Sequence, residues 1–172
     1  MTGSCRFCGA ALRHTFVDLG KSPLCESYLR EDQLDEMEPF YPLHALVCSE
    51  CYLVQLREYV SGEEIFGGEY AYFSAHSDSW VEHARRYTEA ITRRLGLDDE
   101  SLVVEVASND GYLLQHFRER GVPCLGIDPA ENVAEAARER GIETRVAYFG
   151  EEVARDLADE GLRADLLVAN NV

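Results

Sequence analysis

The side chains best suited to chemistry in this 172-residue chain are its cysteines, six in all. Four fall into two matched pairs, Cys5-x-x-Cys8 and Cys48-x-x-Cys51, with 39 residues between them. A Cys-x-x-Cys turn puts two thiolates on one side of a knuckle. Two knuckles complete the closed tetrahedral shell that zinc takes at structural sites. Small residues after the first pair (Gly9, Ala10) and strand-like runs around the second (Pro42–Val47 and Leu53–Leu56) suit such knuckles. The long gap requires an insertion in the zinc loop. Disulfides are the alternative, disfavoured in a chain with no secretory leader pattern at its start. Two redox pairs in such contexts are less favoured still. His14 and His44 become ligands only if a cysteine is not one. Cys25 is left over, and Cys124 reads as a small core residue.

A second set of polar residues gathers around Leu102–Leu114, LVVEVASNDGYLL. Leu102, Val103, Val104 and Val106 form a β-branched run suited to a strand buried on both faces, interrupted by Glu105. Ser108-Asn109-Asp110-Gly111 make a turn, and Tyr112, Leu113, Leu114 and Phe117 continue at helical spacing. Backbone N–H groups at a helix start lack internal acceptors and can face a ligand. The simpler reading is a βα turn in which Asn109 or Asp110 caps the helix.

The elements that hold these residues alternate. Strands are predicted at 102–107, 122–127, 142–146 and 164–169, and helices near 111–120, 131–140 and 151–160. Parallel βαβ units follow from that alternation, with ligands bound beyond the strands' carboxyl ends. Asp128 comes directly after the second strand, 18 residues past Asp110. A carboxylate there accepts hydrogen bonds from ribose hydroxyls, or caps the helix after Pro129. Asn170 and Asn171 follow the fourth strand and offer amides to a polar ligand tail. Three such features at successive strand ends favour an adenosine-type cofactor. A nicotinamide dinucleotide wants Gly-x-Gly-x-x-Gly, whereas this turn has one glycine and the acids Glu105 and Asp110. Carboxylates repel a diphosphate and suit a cationic amino-acid end, which Glu105 is expected to reach through water. The reading is therefore S-adenosylmethionine.

Upstream, Ser79-Trp80-Val81-Glu82 reads as a capping box. It opens a helix with Trp80, Ala84, Tyr87, Ile91 and Leu95 on one face, stopped by Gly96. Residues 18–24, DLGKSPL, read as turn-rich, and Glu31–Glu38 as a solvated acidic face. The aromatic run Tyr70-Ala71-Tyr72-Phe73 has two readings, a pocket wall or an aromatic cluster joining two modules, and the cluster is favoured on the run alone. The expected organisation is a zinc module over 1–75, a linker helix over 76–97, and the first half of a sheet domain over 98–172. The net charge of −16 opposes general nucleic-acid binding. No apolar run reaches membrane-spanning length, and a cytoplasmic protein is expected.

The ordered motifs resemble one family. They are the two Cys-x-x-Cys pairs, Asp-Leu-Gly-x-x-Pro-Leu at 18–24, Tyr-x-Tyr-Phe-Ser at 70–74, Glu-Val-Ala-Ser-Asn-Asp-Gly at 105–111, Gly-Ile-Asp-Pro-Ala-Glu-Asn at 126–132 and Ala-Asn-Asn-Val at 169–172. The family is the zinc-containing, S-adenosylmethionine-dependent sugar C-methyltransferases, which methylate C3 of nucleotide-linked 4-keto deoxysugars. The resemblance implies an α/β protein: a small zinc-ribbon-like module followed by a Rossmann-like class I methyltransferase sheet, of which four parallel strands are present. It implies zinc on Cys5, Cys8, Cys48 and Cys51. It implies a cofactor pocket of Ser108, Asn109, Asp110, Gly111, Asp128 and Asn170, to which Glu105, Ala107, Pro129 and Asn171 are added by position. Tyr70 and Tyr72 are the candidates for the tyrosine the family places at its reaction centre. The implied partners are a nucleotide sugar and a further C-terminal region of the same enzyme, which in the family carries the base. On that expectation residues 1–172 alone are inactive and associate through an open strand edge. Two other readings remain open, a non-enzymatic zinc-ribbon interaction module with a degenerate sheet, and a methyltransferase acting on another acceptor.

Overall fold

The computed structural model describes residues 3–172. They fall into two compact units, one ending at Ile65 and the other running from Phe66 to Val172. In the first unit, β1 (His14–Ser22), β2 (Tyr41–Val47) and β3 (Val54–Leu56) form an antiparallel sheet in the order β1-β2-β3. The insertion between the knuckles is thus a strand pair. Residues 18–22, read as turn, belong to β1. Asp18 accepts a hydrogen bond from the Gly20 N–H at 2.9 Å, and the register with β2 shifts between Asp18 and Lys21. The turn-forming residues are absorbed as a β-bulge, which keeps the strand paired on either side. A 3-10 turn at Glu31–Gln33 occupies part of the acidic stretch, which is largely exposed.

This unit has little apolar core. Its buried cluster consists of Cys5, Leu12, Leu46 and Cys48, with Ala10 and Cys51 packed beside it, while most of β1 is exposed. So few buried side chains cannot offset the entropy of ordering some sixty residues. A metal clamp supplies what the core lacks.

A one-turn helix α1 (Gly62–Phe66) precedes the second unit's main elements. In that unit, β4 (Val103–Val106), β5 (Cys124–Asp128), β6 (Thr144–Val146) and β7 (Leu166–Ala169) form a parallel sheet in the order β6-β5-β4-β7. The helices between them are α3 (Leu114–Arg118), α4 (Glu131–Glu139) and α5 (Glu151–Asp159). Val104, Leu125 and Ile127 pack with Leu157 of α5 in one core cluster. Val103 and Val168 pack with α3 and with Ala137 of α4 in another. The sheet is therefore covered on both faces, as its largely apolar central strands demand.

α2 (Asp78–Leu95) lies in this second unit, with Ala84 and Thr88 buried and Tyr87 and Ile91 against the core. Its cap differs from the expected box. Ser77 is the N-cap, and its hydroxyl accepts from the Trp80 N–H. Glu82 instead pairs with Arg85 and Arg86 at 2.7 and 2.8 Å. Two guanidiniums within reach outcompete a backbone amide for its carboxylate and hold its pKa down at about 2. Gly96 ends the helix in the left-handed conformation.

Candidate functional site

The two knuckles share one backbone pattern. The Gly9 N–H donates to the Cys5 carbonyl at 2.9 Å, and the Tyr52 N–H donates to the Cys48 carbonyl at 3.0 Å. Cys5 N–H in turn reaches Ala10, and Cys48 N–H reaches Leu53. Both Gly9 and Tyr52 take left-handed φ, 75° and 62°. Glycine adopts that conformation freely; tyrosine does so at a cost of roughly 1–2 kcal/mol. The second knuckle therefore lacked its usual small residue in the sequence.

The pairing brings the four sulfurs together, all within 4.8 Å of one another. Cys5 to Cys51 and Cys8 to Cys48 are each 3.6 Å. A tetrahedron with zinc–sulfur bonds of about 2.3 Å has edges of about 3.8 Å, whereas a disulfide needs about 2 Å. The set fits zinc. Gln55, buried on β3, donates its amide N–H to the Cys5 sulfur at 3.2 Å and accepts from the Arg6 N–H at 3.0 Å. The Cys5 thiol is lowered to about 6, first by the N–H of Cys8 and also by Gln55. For Cys51, the Leu53 N–H lowers the pKa, but burial and three neighbouring thiols push it to about 12. Neither His14 nor His44 belongs to the cluster.

In the second unit, a cavity of about 340 Å³ opens over the carboxyl ends of all four parallel strands. Val106, Ala107, Asn109 and Tyr112 line it after β4, Ile127, Asp128 and Pro129 at β5, Ala147, Tyr148 and Phe149 after β6, and Asn170, Asn171 and Val172 after β7. Phe66, Tyr70, Tyr72, Ser74 and Trp80 close the remaining wall. The chain runs outward from β4 through β5 to β6 and then returns to β7 on the other side of β4, so the cavity lies at a switch in strand order.

The residues expected at a cofactor separate into two groups here. Ala107, Asn109, Asp128, Pro129, Asn170 and Asn171 face the cavity, with Tyr70 and Tyr72. Glu105, Ser108, Asp110 and Gly111 do not line it. Glu105, Ser108 and Asp110 are buried behind it. Asp110 forms an ion pair with Arg140 at 2.9 Å and accepts from the Ala75 N–H at 3.1 Å. Burial, then the charges of Asp128 and Asp110, raise the Glu105 carboxyl well above its ordinary range. Of these three carboxyl groups, only that of Asp128 lines the cavity.

Asp128 also holds its own surroundings. One carboxylate oxygen accepts from the Ala130 N–H and the other from the Asn109 N–H, each at 2.9 Å. Burial raises its pKa against the pull of these two amides. Each oxygen keeps a further lone pair for a ligand hydroxyl, so capping and ribose binding are compatible. The turn itself is strained: Ala107 and Asn109 have φ of 55° and 50°. Non-glycine residues in that region cluster where a site dictates the backbone.

The segment 70–75, ambiguous as sequence, forms a cavity wall. The Asn109 amide accepts from the Ser74 N–H at 2.8 Å and donates to the Tyr72 carbonyl at 3.0 Å. Asn132 grips Tyr70 in the same manner. Tyr112, Trp80, Tyr148 and Phe149 escaped the sequence reading. Tyr112 and Trp80 resembled core positions at helical spacing, and Tyr148-Phe149 sat in an unremarked loop. Burial, then the charge of Glu105, pushes the Tyr112 phenol up to about 12. Among the described residues no histidine lines the cavity. His76 stacks on Phe73 and His83 on Trp80.

Residues 5–66 match a family model described as "Putative zinc binding domain". C-methyltransferase NovU of Streptomyces niveus is 36% identical over 154 residues. The chain is thus similar to the zinc-containing C-methyltransferases, through its zinc module and through this relative. That alignment takes in 90% of this chain and 36% of NovU, so the chain spans little more than a third of this relative. Two solved structures also align. A SAM dependent methyltransferase from Archaeoglobus fulgidus has a TM-score of 0.28 and 19% identity, covering 37% of this chain and 29% of that one. An RNA methyltransferase from Salinibacter ruber in complex with S-adenosyl-L-homocysteine has a TM-score of 0.32 and 16% identity, covering 49% and 66%.

Proposed function

We infer that the second unit binds S-adenosylmethionine and that the protein uses it for C-methylation of a nucleotide-linked 4-keto deoxysugar. The observation that supports this best is the cavity spanning four strand ends, with Asp128 at the end of β5. In this reading Asp128 accepts from the ribose hydroxyls, and Asn170 and Asn171 meet the amino-acid tail. The cofactor, when bound, supplies an electrophilic methyl group. The chain's own part is to hold and shield it: Tyr70, Tyr72, Tyr112 and Trp80 enclose the remaining space and exclude water. Zinc, on Cys5, Cys8, Cys48 and Cys51, is structural, because four thiolates leave no open position for a substrate.

Carbon methylation next to a ketone requires removal of a proton and a donor for the enolate oxygen. Tyr70 or Tyr72 is assigned the donor role. The base is assigned to neither His76 nor His83, both stacked on aromatic rings. A cytoplasmic location and a nucleotide-sugar partner belong to the same proposal, and no described helix is long and apolar enough to cross a membrane. The test is transfer of a labelled methyl group from S-adenosylmethionine by the full-length gene product, with a nucleotide-linked 4-keto deoxysugar as acceptor. Label on carbon supports the reading. Label on oxygen or nitrogen, or none on any sugar nucleotide, overturns it.

A further inference from the structure

The segment carrying Tyr70 and Tyr72 has no regular secondary structure before the 3-10 turn Ser74–His76. Its backbone polar groups must therefore find partners elsewhere. Three side chains supply them. Asn109 takes the Ser74 N–H and the Tyr72 carbonyl, and Asp110 takes the Ala75 N–H. The third is Asn132, on the first turn of α4. Its carbonyl oxygen accepts from the Tyr70 N–H at 3.2 Å, and its amide nitrogen donates to the Tyr70 carbonyl at 2.8 Å.

A primary amide gripping both the N–H and the C=O of one residue copies one rung of a β-ladder. It fixes that residue's position and the direction in which its side chain leaves the backbone. The Tyr70 ring lies 5.1 Å from that of Phe66, and both line the cavity. Asn132 itself does not line the cavity. It follows Asp128, the last residue of β5, by four residues. The β5–α4 unit that carries the proposed ribose-facing carboxylate thus also holds a tyrosine of the cavity lining.

We propose that Asn132 is a positioning residue, which sets Tyr70 against the bound cofactor through its two-point grip on the Tyr70 backbone. The proposal rests on the reading of the cavity as a cofactor site. Binding and wall placement are then linked, so loosening the grip weakens the ligand without removing any ligand contact. An amide offers both a donor and an acceptor. Leucine, of similar size, offers neither, and aspartate keeps only the acceptor while turning a charge toward the Tyr70 carbonyl.

Calorimetric titration with S-adenosylhomocysteine tests this on wild type, Asn132→Leu, Tyr70→Ala and the double variant. Loss of two hydrogen bonds of ordinary net value sets a ceiling of about thirtyfold on the weakening, and a loss of several-fold up to that ceiling is expected for Asn132→Leu. Because Asn132 acts through Tyr70, the same change in the Tyr70→Ala background should cost nothing further. Additive losses, or wild-type affinity in Asn132→Leu, overturn the proposal. Asn132→Asp serves if the leucine variant does not fold, with the same expected non-additivity. Wild-type protein that binds no S-adenosylhomocysteine overturns the cofactor reading instead, and this inference with it.

Discussion

Replacing Asp128 by alanine tests how far one side chain organises the site. Its two oxygens accept from the amides of Asn109 and Ala130, each at 2.9 Å. Both residues are buried, and so is Asp128. Alanine leaves two buried N–H groups unpaired, at about 1–3 kcal/mol each. The gross loss is thus about 2–6 kcal/mol, and relief from burying a carboxylate draws the net toward the lower half. The assay is urea unfolding at saturating zinc. It is followed by the fluorescence of Trp80, the chain's only tryptophan, which lies in the sheet unit. A loss under about 0.5 kcal/mol, the level of an ordinary surface change, would refute the strut role. Asp128→Asn keeps one acceptor and should fall between. If its S-adenosylhomocysteine affinity drops more than its stability does, the carboxylate serves the ligand as well as the turn.

Three other outcomes are expected. Elemental analysis should find one zinc per chain, and Cys48→Ser should lose it and unfold the first unit while Trp80 fluorescence keeps its native form; zinc-free, folded wild-type protein would contradict the metal assignment. Gly126→Ala should cost about 1–3 kcal/mol, because its Cβ would overlap the Ser108 hydroxyl and meet that of Thr144 at 2.9 Å; an unchanged melting temperature would deny that contact. Glu105→Gln should stabilise the protein increasingly as pH rises. The native carboxyl titrates well above its ordinary value of 4.5, so its contribution is full below that value and lost as pH rises through the native pKa. Melting curves of the two proteins should converge in acid and diverge toward alkaline pH, and parallel curves would dispose of the idea.

The elements of the sheet unit were legible because buried parallel strands write themselves as β-branched runs, and glycines at 121, 141 and 161 mark the helix ends. The zinc ligands were legible because thiolate pairs have few other uses at that spacing. What could not be read was direction. Asp110 and Asn109 are adjacent, yet one is buried against Arg140 while the other faces the cavity. The turn that separates them has left-handed backbone at Ala107 and Asn109, and alanine, unlike asparagine, gives no sign of that conformation. β1 was hidden because its bulge uses the same Asp, Gly and Ser residues as a turn. The 70–75 wall was ambiguous because its partners, Asn109 and Asn132, lie 35 or more residues away.

The central claim, that the cavity over the four strand ends is an adenosine-cofactor site, is tested most directly by calorimetric titration of the wild-type chain with S-adenosylhomocysteine, alongside NAD. The account predicts one ligand per chain, with NAD binding far more weakly because the turn lacks the glycines a pyrophosphate needs. No binding of S-adenosylhomocysteine at millimolar concentration, or tighter binding of NAD, would contradict it.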